Sequence, residues 1–258
     1  MTSDLFDLSG STALVVGAAG DLGRRTALVL AHAGASVVVA DHPEAADRLA
    51  VTVSLLEEGG GTVTSSPCDV TDEASVDHVV ALASSQGDLE VLVNAAGVMV
   101  RKPVAETTLS EFQRVLDVNL TGTWLLNRAV SGPMAARGAG RIVNISSVYA
   151  ERVGPVPESA YYASKAGVAN LTRSMASELG PSGIRVNALA LGVFYPTNMT
   201  LPLKEDPETL AWFEQRTLLK RLGDPDTDLD GPLLLLATQA SSYVTGQVLY
   251  VDGGWSAW

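Results

Sequence analysis

The sequence predicts an α/β fold: one doubly wound parallel sheet with helices on both faces, forming a single domain. Three observations carry this reading. Short apolar runs alternate with helix-period segments along most of the 258 residues. The first run enters a glycine corner, Gly17-Ala18-Ala19-Gly20-Asp21-Leu22-Gly23, and a helical pattern follows it. A second run then delivers an acid, Asp41, about 20 residues beyond the glycines.

Each element has its own signal. Residues 13–16 are an apolar run bounded by glycines, hence a buried strand. The next helix places Leu22, Thr26, Val29, Leu30 and Ala33 at helical spacing and stops at Gly34. Residues 36–40 form the second strand. Residues 43–58 read as a helix ended by Gly59-Gly60-Gly61. A third strand (62–66) leads to Asp69-Val70, and Thr71, Asp72 and Glu73 open another helix. Residues 91–93 are a strand running into Asn94-Ala95-Ala96-Gly97. Ser110-Glu111-Phe112-Gln113 has the form of a capping box and opens a helix with Asn119 inside it. Pro133 is expected to kink or end that helix. A strand (141–145), a loop (146–158), a long helix (159–179) and a strand (184–189) continue the alternation. It breaks at 192–222, where Pro207 occupies a first helical position after Asp206. We expect a substrate lid at 193–222, with a plain structural excursion as the alternative. A leucine-rich helix (231–237) and a strand (247–251) complete the sheet.

Composition narrows the function classes. With 47% hydrophobic and 18% charged residues, the chain can bury one substantial core over 1–258. A net charge of -12 argues against nucleic acid and anionic membrane surfaces as partners, and leaves a small-molecule substrate open. Cys68 is the lone cysteine, so no internal disulfide forms. No apolar run reaches the length of a membrane span, and Asp4 and Asp7 stand where a leader needs base, so the cytoplasm is the expected compartment. No metal ligands are assigned.

The glycine corner suits a dinucleotide. The small residues Gly17, Gly20 and Gly23, with the amides of Asp21 and Leu22, let the backbone approach a pyrophosphate at the positive end of the helix. The Asp41 carboxylate can accept from both ribose hydroxyls and would repel a 2′-phosphate, which favours NAD over NADP. The alternative is that Asp41 caps a helix ahead of Pro43. Later, Ser159-Ala160-Tyr161-Tyr162-Ala163-Ser164-Lys165 opens the long helix. Residues three and four apart share a helix face, so Lys165 lies beside both tyrosines. An ammonium there lowers a phenol pKa from its ordinary value near 10. Spacing alone does not choose between Tyr161 and Tyr162.

In this order, Gly17 to Gly23, Asp41, Asp69-Val70, Asn94-Ala95-Ala96-Gly97, Asn119, Ser147 and Tyr161 with Lys165 resemble the motifs of the short-chain dehydrogenase/reductase family, over essentially the whole chain. The resemblance implies a Rossmann-type fold and hydride transfer between NAD and a secondary alcohol. It implies that Asp69 and Val70 flank the adenine, and that Asn94, Ala95 and Gly97 form a turn beside the cofactor. Asn119, Ser147, Tyr161 and Lys165 match the catalytic tetrad, with Tyr161 as base, Ser147 holding the substrate oxygen and Lys165 also bonding the nicotinamide ribose. Family spacing selects Tyr161 over Tyr162, and Ser147 is preferred to Ser146. Asn119 suggests a helix kink that holds water for a proton relay; alone, it would read as a solvent-facing polar residue. Two positions depart from the pattern. Asp21 replaces a glycine and is expected to turn away and cap the helix, and Leu191 stands where proline is usual.

The chain ends resemble the sugar-acid members, gluconate 5-dehydrogenases and 2-deoxygluconate 3-dehydrogenases. Arg101, Lys102 and Arg152 are then candidates to meet a substrate carboxylate. Tyr149 and Phe194 would equally pack an apolar substrate, which keeps a 3-oxoacyl-thioester or cyclic-ketone reductase in view. A non-catalytic NAD-binding regulator is the remaining alternative, and the complete tetrad argues against it. Family resemblance and the apolar segment 232–237 point to a homo-oligomer, a tetramer.

Overall fold

The structure, a computed structural model, describes residues 3–258; Met1 and Thr2 of the N-terminal stretch lie outside the described residues. Seven strands form one sheet: β1 (Ser11–Val16), β2 (Ser36–Asp41), β3 (Val63–Pro67), β4 (Asp88–Asn94), β5 (Gly140–Ser147), β6 (Ile184–Leu191) and β7 (Val248–Val251). Their spatial order is β3-β2-β1-β4-β5-β6-β7, and every neighbouring pair is parallel. The winding reverses between β1 and β4, where an open α/β sheet leaves a crevice beyond the carboxyl ends of its strands.

Strand alternation sends successive side chains to opposite faces. Ala13, Val15, Val37, Val39, Val91 and Val93 share one core with α1 (Asp21–His32), α2 (Ala46–Glu58) and α8 (Asp230–Ala237). Leu14, Val16, Val38, Leu92 and Ile142 face the other core, with α3 (Glu73–Ser85), α5 (Gly122–Arg137) and α6 (Ser159–Leu179). A third cluster joins Val115, Tyr149, Tyr161, Phe213 and Trp255 above the strand ends. Its Val115 and Phe213 come from α4 (Leu109–Leu116) and α7 (Pro207–Arg216). No helix among the described residues is long and apolar enough to cross a membrane.

The expected elements are present, and the differences are local. The capping box is Thr108 with Glu111, two residues before the expected Ser110 and Gln113. The Thr108 hydroxyl accepts from the Glu111 amide at 3.2 Å, and Glu111 accepts from the Thr108 amide at 2.9 Å. Ser110 already lies inside the first turn, so its side chain cannot cap. Helix α5 does not end at Pro133; it continues to Arg137 and stops at Gly138, whose φ of 68° is the left-handed conformation that closes a helix. β5 and β6 extend through Ser147 and Leu191 because those residues still pair with each other. Residues 43–45, expected as α-helix, form a 3-10 turn ahead of α2.

Candidate active site

A cleft of about 1510 Å³ opens at the switch point. Its floor is the corner between β1 and α1. Gly17 has φ 90°, and a Cβ there would lie 2.5 Å from the Ala95 carbonyl carbon. A Cβ on Gly23 would come within 2.0 Å of the Gly17 oxygen. Only glycine lets these segments touch. The amides of Asp21, Leu22 and Gly23 form the first turn of α1, where N–H groups have no intrahelical acceptor and the helix dipole is positive. A pyrophosphate fits this donor set.

Asp21 does not cap the helix. The cap position is Gly20, and Asp21 is the first helical residue, so its side chain cannot fold back over the free amides. Its carboxylate accepts from the Asn198 amide at 2.6 Å and lies 3.8 Å from Arg24. Asp41 does not cap the following turn either, because His42 does so by accepting from the Glu44 amide. Asp41 instead accepts from the amides of Ala19 and His42, each at 2.8 Å, and faces the cleft. A carboxylate has about four acceptor sites, so about two remain for ribose hydroxyls.

Asp69, Val70, Ala95 and Gly97 line the same wall. Asn94 does not. Its side chain donates to Thr123 at 2.7 Å and accepts from the Ala96 amide at 3.2 Å, supporting the turn from behind. Leu191, in place of proline, ends β6 paired with Val251 and lines the cleft.

Asn119 is fully buried in a π-helical turn, Asp117–Thr121, between α4 and α5. The solvent-facing reading is therefore excluded. Its side chain accepts from the Val98 amide at 2.8 Å and donates to the Val98 carbonyl and the Ser164 hydroxyl. Both amide protons are spent within the protein, clamping the loop after β4 to α6. Ser147 and Ser146 are separated by geometry. Ser146 donates to the Lys165 carbonyl at 3.1 Å, whereas the Ser147 hydroxyl accepts from the Tyr149 amide and lines the cleft with Tyr161. Tyr161 lines the cleft. Tyr162 instead donates to the Val156 carbonyl at 2.7 Å and accepts from the Gly154 amide, which makes it a structural strut.

Lys165 Nζ donates to the Ile145 carbonyl at 2.8 Å and lies 5.5 Å from the centre of the Tyr161 ring. Burial lowers its pKa to about 8. The expected depression of the phenol is not found here. Burial, and then the charge of Glu158, push Tyr161 up, while the neighbouring Ser147 hydroxyl and Arg101 pull it down. With Nζ committed to Ile145, the ammonium does not offset the burial.

The substrate wall holds Arg101, Glu158, Tyr149, Phe194 and Phe213. Arg101 Nε donates to Glu158 Oε1 at 2.6 Å, and Glu158 is only 2% exposed. Two other basic candidates are spent elsewhere. Lys102 pairs with Glu111. Arg152 is not on the cleft wall; its guanidinium donates to the Ser256 carbonyl at 2.8 Å and anchors the C-terminal stretch. Tyr149 packs edge-on against Trp255, with ring centres 5.6 Å apart. Glu158 and Phe213 were not anticipated. An acid just before a helix reads as a first-turn charge, and an aromatic in a short helix reads as core.

Comparison with known proteins agrees with this arrangement. The enoyl-(acyl carrier protein) reductase family model matches residues 17–256. The chain is 39% identical to gluconate 5-dehydrogenase of Gluconobacter oxydans, covering 97% of this chain and 96% of that one. It is 40% identical to cis-4-hydroxycyclohexanecarboxylate dehydrogenase of Sinomonas cyclohexanicum, covering 95% and 96%. The crystal structure of a gluconate 5-dehydrogenase from Burkholderia cenocepacia, in complex with NADP and tartrate, superposes with a TM-score of 0.93 at 33% identity, covering all of both chains. Topology, cleft and full-length similarity together show that the chain belongs to the short-chain dehydrogenase/reductase family of oxidoreductases.

Proposed function

We propose that this protein interconverts a secondary alcohol and a ketone on a sugar acid such as a gluconate, with NAD as hydride carrier and Tyr161 as general acid and base. The observation that carries the reading is the meeting of Ser147, Tyr161 and Lys165 with the Arg101 guanidinium in one cleft. A bound nicotinamide would supply the hydride acceptor or donor. Tyr161 takes the hydroxyl proton in the oxidative direction. Ser147 holds the substrate oxygen and steadies its developing charge. Lys165 would hold the nicotinamide ribose, and its charge together with that of a bound oxidised nicotinamide would favour the phenolate that burial disfavours. Asn119 holds the Val98 loop against α6 so that these groups stay aligned. Asp41 would accept from the adenosine ribose and disfavour a 2′-phosphate, and residues 193–222 would cover the substrate. Tyr149, Phe194 and Phe213 also favour a second substrate, a hydroxylated cyclohexane carboxylate, which keeps the carboxylate and replaces the polyol by a ring.

The test is initial rate by cofactor absorbance, with D-gluconate and cis-4-hydroxycyclohexanecarboxylate, each with NAD and NADP. Turnover of at least one acid with NAD is expected. Tyr161→Phe should lower it about 10²- to 10⁴-fold with NAD binding nearly unchanged. Asp41→Ser should improve NADP relative to NAD by about tenfold or more, since it removes a close like charge. Equal use of NAD and NADP by the wild type would remove the NAD assignment, and full activity in Tyr161→Phe would remove the mechanism.

A further inference from the structure

We infer that Glu158 is a positioning residue for substrate choice: it holds Arg101 from the side, so that the two terminal nitrogens of the guanidinium present themselves to a substrate carboxylate. The inference rests on the sugar-acid reading above.

Glu158 has no local task. It stands at the cap position of α6 but makes no side-chain capping bond. Its carboxylate is 2% exposed, and Arg101, from the loop after β4, is its ion-pair partner at 2.6 Å. A buried ion pair is weak evidence for stability, because desolvating both charges costs about what their attraction returns. Geometry is the better account. A guanidinium is a planar fork with five donors, and Glu158 engages Nε alone. Among the described residues, no protein acceptor bonds Nη1 or Nη2 of Arg101. Those two nitrogens form the edge that takes a carboxylate in a bidentate pair. Pinning Nε fixes that edge before substrate arrives, so less side-chain freedom is lost on binding.

The pair also has a sign. Arg101 and Glu158 together are neutral, so an anion gains only where it meets the guanidinium edge. An anion placed elsewhere in the wall meets a neutral pair and gains nothing from it. Selection is thus for a carboxylate at one distance from the reacting carbon. Glu158 is also three residues before Tyr161, so its charge reaches the phenol.

The experiment uses D-gluconate and D-glucitol, which differ by a carboxylate against a hydroxymethyl group; glucitol is measured as substrate or as competitive inhibitor. Three variants are compared with the wild type: Glu158→Asp, Glu158→Gln and Arg101→Gln. Glu158→Asp keeps the charge and withdraws the acceptor, and should raise KM for gluconate by about fivefold or more while kcat and glucitol binding change little. Glu158→Gln keeps an acceptor for Nε and removes the charge. Its gluconate KM should stay within about threefold of wild type, while the rise of rate with pH moves to lower pH. The charged and titratable groups around Tyr161 are Glu158, Arg101, Lys165 and Tyr149, and in Glu158→Gln only Glu158 is altered. Arg101→Gln should lose the preference for gluconate.

Three outcomes overturn the inference. If Glu158→Asp leaves gluconate KM unchanged while Arg101→Gln raises it, Arg101 binds the carboxylate unaided and the sugar-acid reading stands. Equal losses on both compounds in Glu158→Asp would make Glu158 a structural residue. If Arg101→Gln leaves the preference for gluconate intact, the carboxylate anchor is wrong and the positioning role falls with it.

Discussion

Lys165 illustrates what the site costs the protein at the level of one residue. Its ammonium is 4% exposed and bonded to one carbonyl, and burial lowers its pKa from 10.5 to about 8. That difference corresponds to roughly 3 kcal/mol of destabilisation at neutral pH. The sign follows from proton counts. Between pH 8 and 10.5 the unfolded chain binds more protons at this site than the native one. The destabilisation is therefore full below pH 8 and fades as pH rises toward 10.5. Lys165→Met gives up the bond to Ile145, worth about 1 kcal/mol, and escapes the larger desolvation. It should raise Tm at pH 7 by several degrees, at about 2–4 °C per kcal/mol for a chain of this size, and lose both turnover and NAD affinity. The Tm advantage should shrink at higher pH. Differential scanning calorimetry at pH 7 and 9.5 checks this, and a lower Tm for the variant at pH 7 would show that the Ile145 bond outweighs the burial. Tyr161 and Lys165 were legible in the sequence because helix periodicity alone places them together. The Arg101–Glu158 pair was not, since 57 residues separate its members and only the tertiary fold joins them.

At the scale of elements, alternating apolar runs and helix-period segments were enough to place the strands and the principal helices. What failed was decided by one hydrogen bond or one turn. Thr108 rather than Ser110 caps α4, and the π turn at Asn119 has no signal in hydrophobic spacing because it displaces the register only locally. Asp21 is the most consequential of these details. It links two elements far apart in sequence, the start of α1 and the segment after β6, through the Asn198 amide at 2.6 Å. It also places a carboxylate beside the amides suited to a pyrophosphate. The two effects oppose each other. Repulsion between close charges in partly screened surroundings is about 1–4 kcal/mol, whereas one backbone-to-carboxylate bond near the surface contributes about 1 kcal/mol. Repulsion should win. Asp21→Ser, which retains a small polar residue at the first helical position, should tighten NAD binding by about threefold to tenfold and speed hydrogen exchange at the amides of residues 197–200. Calorimetric titration gives the first quantity and exchange mass spectrometry the second. Weaker NAD binding in the variant would mean that the link to Asn198, and not the charge, dominates.

At the scale of the whole molecule, assembly would draw on exposed apolar side chains, of which α8 supplies fewer than its sequence suggests. Much of the apolar run in α8 is spent inside the chain: Leu233, Leu236 and Ala237 are 0–2% exposed, packed in the core shared with α1, while Leu235 remains 36% exposed. α8 therefore offers a partner Leu235 rather than a continuous apolar face. Other side chains take its place. Val104 and Leu109 are 79% and 80% exposed, near Trp124 of α5 in sequence, while Tyr243 stands fully exposed just before β7. We propose that the protein is a homotetramer in which Leu109 and Tyr243 lie at two different interfaces, since two twofold axes generate a closed assembly of four. Each interface would need about 800 Å² per partner to persist. The net charge of -12 per chain opposes association, so the assembly should weaken as ionic strength falls and screening is lost. Sedimentation at about 0.15 M salt should show a species near four times the 26.9 kDa chain. Leu109→Asp and Tyr243→Asp should each remove one axis and leave a dimer, and the double variant should sediment as a monomer. A wild-type monomer would end the proposal. A dimer insensitive to one of the two substitutions would show that only the other patch is an interface.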